Sequence, residues 1–140
     1  IVESRLLNPG QESAALEDIA GKADLVLIDA PCSGSGTWRR NPETRWRITP
    51  ERLERVVALQ ARLLDIGAGL LRPGGHLVYA VCSLLAEEGR AQAEALTSRS
   101  SLVPEPLPMP AGRPAGSGSL LSPAVDGTDG FFVARWRSPC

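Results

Sequence analysis

One unit constrains this chain more than any other: an apolar run, a long amphipathic stretch, a Pro-Gly-Gly turn and a second apolar run. Residues 24–29, Asp24-Leu25-Val26-Leu27-Ile28-Asp29, are apolar and partly β-branched, bounded by Gly21-Lys22 and Pro31. Such a run reads as a buried parallel strand. Residues 76–82, ending in Val81-Cys82, read the same way. Between them, Thr49 is placed to cap a helix, Pro50 suits its first position, and Glu51 complements the positive helix end. Arg52 stands where a complete capping box would have Glu or Gln. Leu53, Val56, Val57, Leu63, Leu64, Leu70 and Leu71 keep to one helical stripe, with Gln60 and Gly67 in its two gaps. The helix is expected to stop at Arg72, before Pro73. Strand, helix and strand then form a right-handed βαβ crossover with parallel strands, which sets the fold class as α/β.

The flanks add less. An Ala-rich helix is expected over about 86–98, and a last strand over Phe131–Arg137, entered from the turn at 126–130. Residues 104–123 hold six prolines and three glycines, and read as a surface loop without a single rigid conformer. The chain opens with Ile rather than Met, inside a stretch at 1–7 that reads as a strand. It is therefore expected to be a piece of something longer.

Composition narrows the function. A length of 140 residues is one domain's worth, and 22% charged residues with a net charge of −1 exclude disorder. No run of about 18 apolar residues exists. The first residues have neither the basic start nor the apolar core of a signal peptide. Three cysteines, Cys32, Cys82 and Cys140, make neither a disulfide framework nor a metal set, which fits a reducing cytoplasm. Lys22 is the only lysine. Arg39, Arg40, Arg45, Arg47, Arg52 and Arg55 crowd a stretch whose only acids are Glu43, Glu51 and Glu54. In a near-neutral protein this is either an ion-paired solvated face or one local anion site.

The chemistry sits in Asp29-Ala30-Pro31-Cys32-Ser33-Gly34-Ser35-Gly36. Open α/β sheets bind ligands at the carboxyl ends of their strands, where Asp29 and Cys32 fall. Gly34 and Gly36 allow close backbone approach. Cys82 ends the next strand, so two thiols and a carboxylate converge on one edge; packing alone explains a single small buried Cys more readily than this set. Other cysteine chemistries fit poorly. A phosphatase-type loop needs an Arg where Trp38 stands. A phosphate-binding P-loop needs a Lys after Gly36. A Cys-His hydrolase needs a base, and the single His76 starts its strand at the far end from Cys82. Two cysteines and a remote His make no zinc site.

Asp29 to Thr37, followed by Arg39-Arg40-Asn41-Pro42 and Trp46, closely resembles the RNA (cytosine-5)-methyltransferases of the RsmB/Nop2/Sun family. So do Gln60, Leu64-Asp65, Pro73-Gly74-Gly75, the segment Leu77 to Leu85 with Glu87-Glu88, and the terminal Asp129-Gly130-Phe131-Phe132-Val133-Ala134. The bacterial 16S rRNA branch looks most similar. The resemblance implies a Rossmann-like methyltransferase fold that uses S-adenosylmethionine on an RNA, with rRNA as the expected partner. It assigns Cys82 as the nucleophile that adds to cytosine C6, and Cys32 as the group that helps release product. It gives Asp29 the cytosine edge beside the cofactor, with Pro31 also at the cofactor. Arg39, Arg40, Arg45 and Arg47 become candidate RNA phosphate contacts, and Trp46 a stacking or packing residue.

The chain departs from the family pattern in places. Val81 stands where Thr commonly precedes the nucleophile, and Gly89 where Asn commonly follows Glu-Glu. The family's Gly-rich cofactor loop and its ribose-binding acid would lie upstream of Ile1. The chain is thus expected to be about the C-terminal two-thirds of a catalytic domain that lacks its first strands. The strand at 1–7 would have no ladder partner and would need to rearrange. Three other readings remain: a catalytically inactive RNA-binding remnant, a tRNA cytosine-5 methyltransferase and a cysteine-dependent hydrolase.

Overall fold

The structure, a computed structural model, describes residues 2–108 and 112–140. A short helix α1 (Glu12–Ala15) precedes strand β1 (Ala23–Asp29). Two 3-10 turns, Ser35–Thr37 and Pro42–Arg47, lead to the long helix α2 (Pro50–Leu70). Then follow β2 (Leu71–Val81), α3 (Arg90–Arg99), β3 (Val103–Glu105), β4 (Arg113–Ala115), β5 (Gly118–Leu121), α4 (Pro123–Asp126) and β6 (Phe131–Arg137). All six strands form one sheet, in the order β1-β2-β6-β5-β4, with β3 also paired to β6.

The βαβ unit forms as its sequence requires. β1 and β2 are parallel, with Val26 opposite Leu77 and Asp29 opposite Ala80. Thr49 is the N-cap of α2: its side chain accepts from the Arg52 backbone N–H at 3.3 Å. The buried residues of α2 are Leu64 and the two gap residues, Gln60 and Gly67. Gly67 is where the helix comes closest to the sheet. A Cβ there would lie 2.7 Å from Ile28 Cδ1 and 3.1 Å from Leu77 Cδ1. β6 runs antiparallel to β2, pairing Val81 with Phe132 and Leu77 with Trp136. Leu77, Tyr79 and Val81 of β2 and Phe132, Ala134 and Trp136 of β6 share one fully buried face, joined by Leu64, Ala93 and Leu96. Trp136 keeps its indole N–H satisfied by Thr97 Oγ1 at 3.0 Å.

Several expectations change. The second strand, read as 76–82, runs Leu71–Val81, with Pro73-Gly74-Gly75 inside it and Cys82 just beyond it. The helix ends at Leu70, two residues early, because Leu71 enters the sheet opposite Ala23 and is buried there. The second helix begins at Arg90 rather than 86. Tyr79 OH donates to the Glu88 carbonyl at 2.7 Å, which takes that carbonyl out of any helical ladder. Residues 104–123 are not simply loop: β4 and β5 form a hairpin laid on β6, and Pro104 and Pro114 sit in short strands that each pair with a single neighbour. Proline is tolerated there because no second neighbour needs its missing N–H. Residues 109–111 of that stretch lie outside the described residues. Residues 2–7 form no strand, as expected for a segment without a ladder partner; Arg5 binds Asp18, its Nη2 donating to Oδ2 at 2.7 Å. Nor is β1 buried on both faces. Ile28 is buried, whereas Leu25 and Leu27 are 60% and 64% exposed.

Candidate active site

Register places the two thiols. β1 and β2 end side by side, and the ladder continues one step further, with Ala30 N–H donating to the Ala80 carbonyl at 3.0 Å. Cys32 follows Ala30 by two residues beyond β1, and Cys82 follows Val81 at the end of β2. Their sulfurs lie 3.1 Å apart, both half-buried. Burial, and then the hydrogen bond to Cys82, push the Cys32 thiol up to about 12. Either sulfur can be the donor in this contact, and Cys32 keeps its own proton at neutral pH.

The loop after Cys32 is held by backbone on both sides. Gly34 adopts a left-handed conformation, φ 72°, which glycine supplies without strain. Gly36 N–H donates to the Cys82 carbonyl at 3.1 Å, and Gly130 N–H donates to the Gly36 carbonyl at 2.8 Å. A Cβ on Gly36 would collide with the Gly130 carbonyl. Ser35 Oγ lies 2.9 Å from Ser83 Oγ and accepts from Leu84 N–H at 2.9 Å. The first cysteine loop, the second cysteine loop and the turn before β6 therefore form one interlocked edge. Beneath it lie Gln60 of α2 and Glu88, both fully buried.

The other sequence-predicted residues surround this edge. Asp29 and Pro31 are exposed, with Ala30 buried between them, so a carboxylate and a pyrrolidine ring face outward at the carboxyl end of β1. The Pro31 carbonyl accepts from Gln60 Nε2 at 2.9 Å. Arg40 is paired with Asp129, Nε to Oδ2 at 2.6 Å, and Arg39 Nη2 is 3.9 Å from the other Asp129 oxygen. Arg45, Trp46 and Arg47 are exposed on the second 3-10 turn. Trp46 is 77% exposed, with the Arg45 guanidinium 4.5 Å from its ring centroid, so core packing does not account for it. A cavity of about 480 Å³, lined by Pro104, Leu107 and Pro114, touches neither thiol loop.

Comparison with known proteins decides what this edge belongs to. Residues 7–137 match the family model described as 16S rRNA methyltransferase RsmB/F. The chain belongs to the RsmB/F methyltransferase family. A ribosomal RNA small subunit methyltransferase B from Thermus thermophilus is 43% identical over 118 residues, covering 83% of this chain and 29% of that protein. One of the same name from Pasteurella multocida is 38% identical over 130 residues, covering 92% and 29%. Among solved structures, a methyltransferase homologue from Pyrococcus horikoshii superimposes with TM-score 0.71 at 32% identity, covering 90% of this chain and 42% of that one. NSun6 from the same organism, solved with SFG, gives TM-score 0.71 at 27% identity, covering 80% and 29%. This RsmB/F-family chain thus spans less than a third of the curated relatives it matches. Its α/β sheet is part of the Rossmann-like methyltransferase fold, as the sequence pattern and the resemblance together implied.

Several residues of this RsmB/F-family edge escaped the sequence reading. Ser33, Ser35 and Ser83 had no assigned part, and Gln60 and Asp129 were parts of the family pattern with no role given to them. One signal was available: each cysteine is followed directly by serine, Cys32-Ser33 and Cys82-Ser83.

Proposed function

We propose that this chain carries the thiol-bearing part of an RNA (cytosine-5)-methyltransferase site that acts on 16S rRNA in the cytoplasm, with S-adenosylmethionine as methyl donor. The observation that carries the reading is the 3.1 Å contact between Cys32 and Cys82 at adjacent strand ends. Membership of the RsmB/F family supports the choice of RNA.

Cytosine C5 is a weak nucleophile until a thiolate adds at C6 and pushes its electron pair toward C5. Cys82 is the better candidate for that addition. It faces a neighbour that keeps its own proton, and an S–H donor stabilises a thiolate. The base must be unpaired or flipped out for C6 to reach Cys82. The exposed Asp29 carboxylate, on the same edge, would accept from the cytosine amino edge and orient the ring. S-adenosylmethionine, when bound, supplies an electrophilic methyl group. Asp29 and Pro31 fit such a ligand, offering one acceptor and one apolar ring at the carboxyl end of a parallel strand.

Product release follows from the same geometry. Two of the influences that hold the Cys32 proton come from Cys82: its hydrogen bond and its charge. Both vanish once Cys82 is bonded to C6. Cys32 then loses its proton to water more readily and takes the proton from C5. The C5–H electrons form the C5–C6 double bond, and the C6–S pair returns to Cys82. Arg45, Arg47 and the less available Arg39 and Arg40 would hold the RNA backbone beside this edge, with Trp46 offering a face on which a base can stack.

The test is methyl transfer from labelled S-adenosylmethionine to 16S rRNA by the purified protein that carries this chain, with digestion and mass spectrometry of the nucleosides. We expect 5-methylcytidine from the wild type and none from Cys82→Ala. A different methylated nucleoside, or undiminished transfer by Cys82→Ala, would overturn the reading.

A further inference from the structure

Glu88 is fully buried, yet among the described residues no cation meets its carboxylate, and each group it binds there is neutral. Oε1 accepts from the Ser33 backbone N–H at 2.7 Å and from Gln60 Nε2 at 3.0 Å. Oε2 accepts from Ser83 Oγ at 2.6 Å and from Ser33 Oγ. Ser33 directly follows Cys32 and Ser83 directly follows Cys82. One carboxylate therefore grips the residue after each thiol, and through Gln60 it also reaches the Pro31 carbonyl on the other side of Cys32. Its own carbonyl is fixed by Tyr79 OH at 2.7 Å, and Gln60 is backed by Gln92, whose Nε2 donates to the Val57 carbonyl at 2.6 Å.

A buried carboxylate is an expensive way to stabilise a core; an apolar side chain of that volume would serve stability as well or better. What a carboxylate supplies here is span: two acceptor oxygens that hold two loops at a fixed separation. We infer that Glu88 is a positioning residue for the reaction, setting Cys32 Sγ against Cys82 Sγ by binding both cysteine loops at once. This rests on the methyltransferase reading for its catalytic consequence but not for the thiol geometry itself.

Three variants separate span from charge. Glu88→Gln keeps the length; its amide can donate where Oε2 accepted, because the Ser33 and Ser83 hydroxyls are free to turn. Glu88→Asp keeps the charge but is about 1.5 Å shorter, one C–C bond. Glu88→Ala removes both. Each is made in the purified protein that carries this chain. The first readout is the rate at which diamide oxidises Cys32 and Cys82 to a disulfide, followed by peptide mass spectrometry and needing neither RNA nor methyl donor. The second is kcat and KM for RNA methylation.

We expect the Glu88→Gln protein to crosslink and turn over within about fivefold of wild type. The Glu88→Asp and Glu88→Ala proteins should lose about 100-fold in kcat, as a displacement of about 1 Å at reacting groups does, with KM for RNA within about threefold. Their crosslinking should slow by at least about tenfold on the same geometric argument. If Glu88→Ala fails to fold, the Glu88→Asp and Glu88→Gln pair decides. An active Glu88→Asp protein with an inactive Glu88→Gln protein makes charge the operative property and overturns the proposal, as does rapid crosslinking in a folded Glu88→Asp protein. Crosslinking that follows span while wild-type protein transfers no methyl group would sink the functional reading and leave the geometric assignment standing.

Discussion

Cys32 Sγ and Cys82 Sγ meet at 3.1 Å although fifty residues separate them in the chain. The meeting is a consequence of parallel register. Asp29 and Ala80 are partners in the ladder, so residues just beyond each strand emerge on the same edge. Burial, and then the hydrogen bond to Cys82, push the Cys32 thiol up to about 12, and the roles proposed for the two thiols are unequal.

The asymmetry predicts different fates for the two alanine variants. Cys82→Ala removes the group that bonds to C6, so neither methylated RNA nor a covalent complex should form. Cys32→Ala leaves addition intact but removes the base for the C5 proton, so the adduct should persist. Denaturing gel electrophoresis of protein incubated with labelled RNA and S-adenosylmethionine reads this directly, as a slow band resistant to SDS with Cys32→Ala only. The trapped band appearing with Cys82→Ala would exchange the two roles.

Stability should fall at alkaline pH for the same reason. In the unfolded chain a cysteine thiol titrates near 9.0, whereas native Cys32 holds its proton to about 12. Between those values the native state binds the extra proton, so unfolding becomes more favourable as pH rises through the window. The urea midpoint of the wild type should therefore drop between about pH 8 and about pH 10.5 by more than that of Cys32→Ser, whose hydroxyl does not titrate there. Equal slopes for the two proteins would remove Cys32 as the cause.

How much of this was legible beforehand varies by residue. β1, α2 and β6 were readable because periodicity, a Thr-Pro-Glu start and a β-branched run act locally. The thiol pair was readable because strand ends can be placed once the strands are. Glu88 was not given a role, since two of its partners, Gln60 and Ser33, are twenty-eight and fifty-five residues away in sequence. Gln60 looked like a defect in an apolar stripe, yet its position on the stripe is why it reaches Pro31 and Glu88. The β4–β5 hairpin was hidden by its prolines, which mark edge strands as readily as loops. The segment at 2–7 went the way its missing partner required. Its apolar residues suggested a strand, but a strand needs a ladder partner, and none pairs with it among the described residues.

Gly67 offers a test of the packing between α2 and the sheet. Alanine is a better helix former than glycine by about 1 kcal/mol. Here, however, the added methyl would press on Ile28 and Leu77 at 2.7 and 3.1 Å. Overpacking a tight contact typically costs about 1–3 kcal/mol, enough to outweigh the helical gain. Gly67→Ala should lower the urea midpoint, whereas Gly69→Ala, with nothing near its Cβ, should raise it. If both substitutions stabilise, the contact between α2 and β1 is looser than the structure shows.

The arginines divide by their partners. Arg40 is tied to Asp129, and that carboxylate adjoins Gly130, which locks Gly36. Arg45 and Arg47 are exposed and make no ion pair among the described residues. If the second 3-10 turn faces RNA, Arg45→Ala and Arg47→Ala should weaken binding and flatten its salt dependence. The flattening should be about 0.7 in the slope of log K against log salt for each lost contact to a single strand. Melting temperature should be unchanged in both. Arg40→Ala should behave differently, lowering the melting temperature by freeing the Asp129-Gly130 turn while changing the salt slope less. Fluorescence anisotropy over a salt series, beside a thermal melt, distinguishes the two classes. Identical slopes for wild type and the Arg45 and Arg47 variants would remove this turn from the RNA interface.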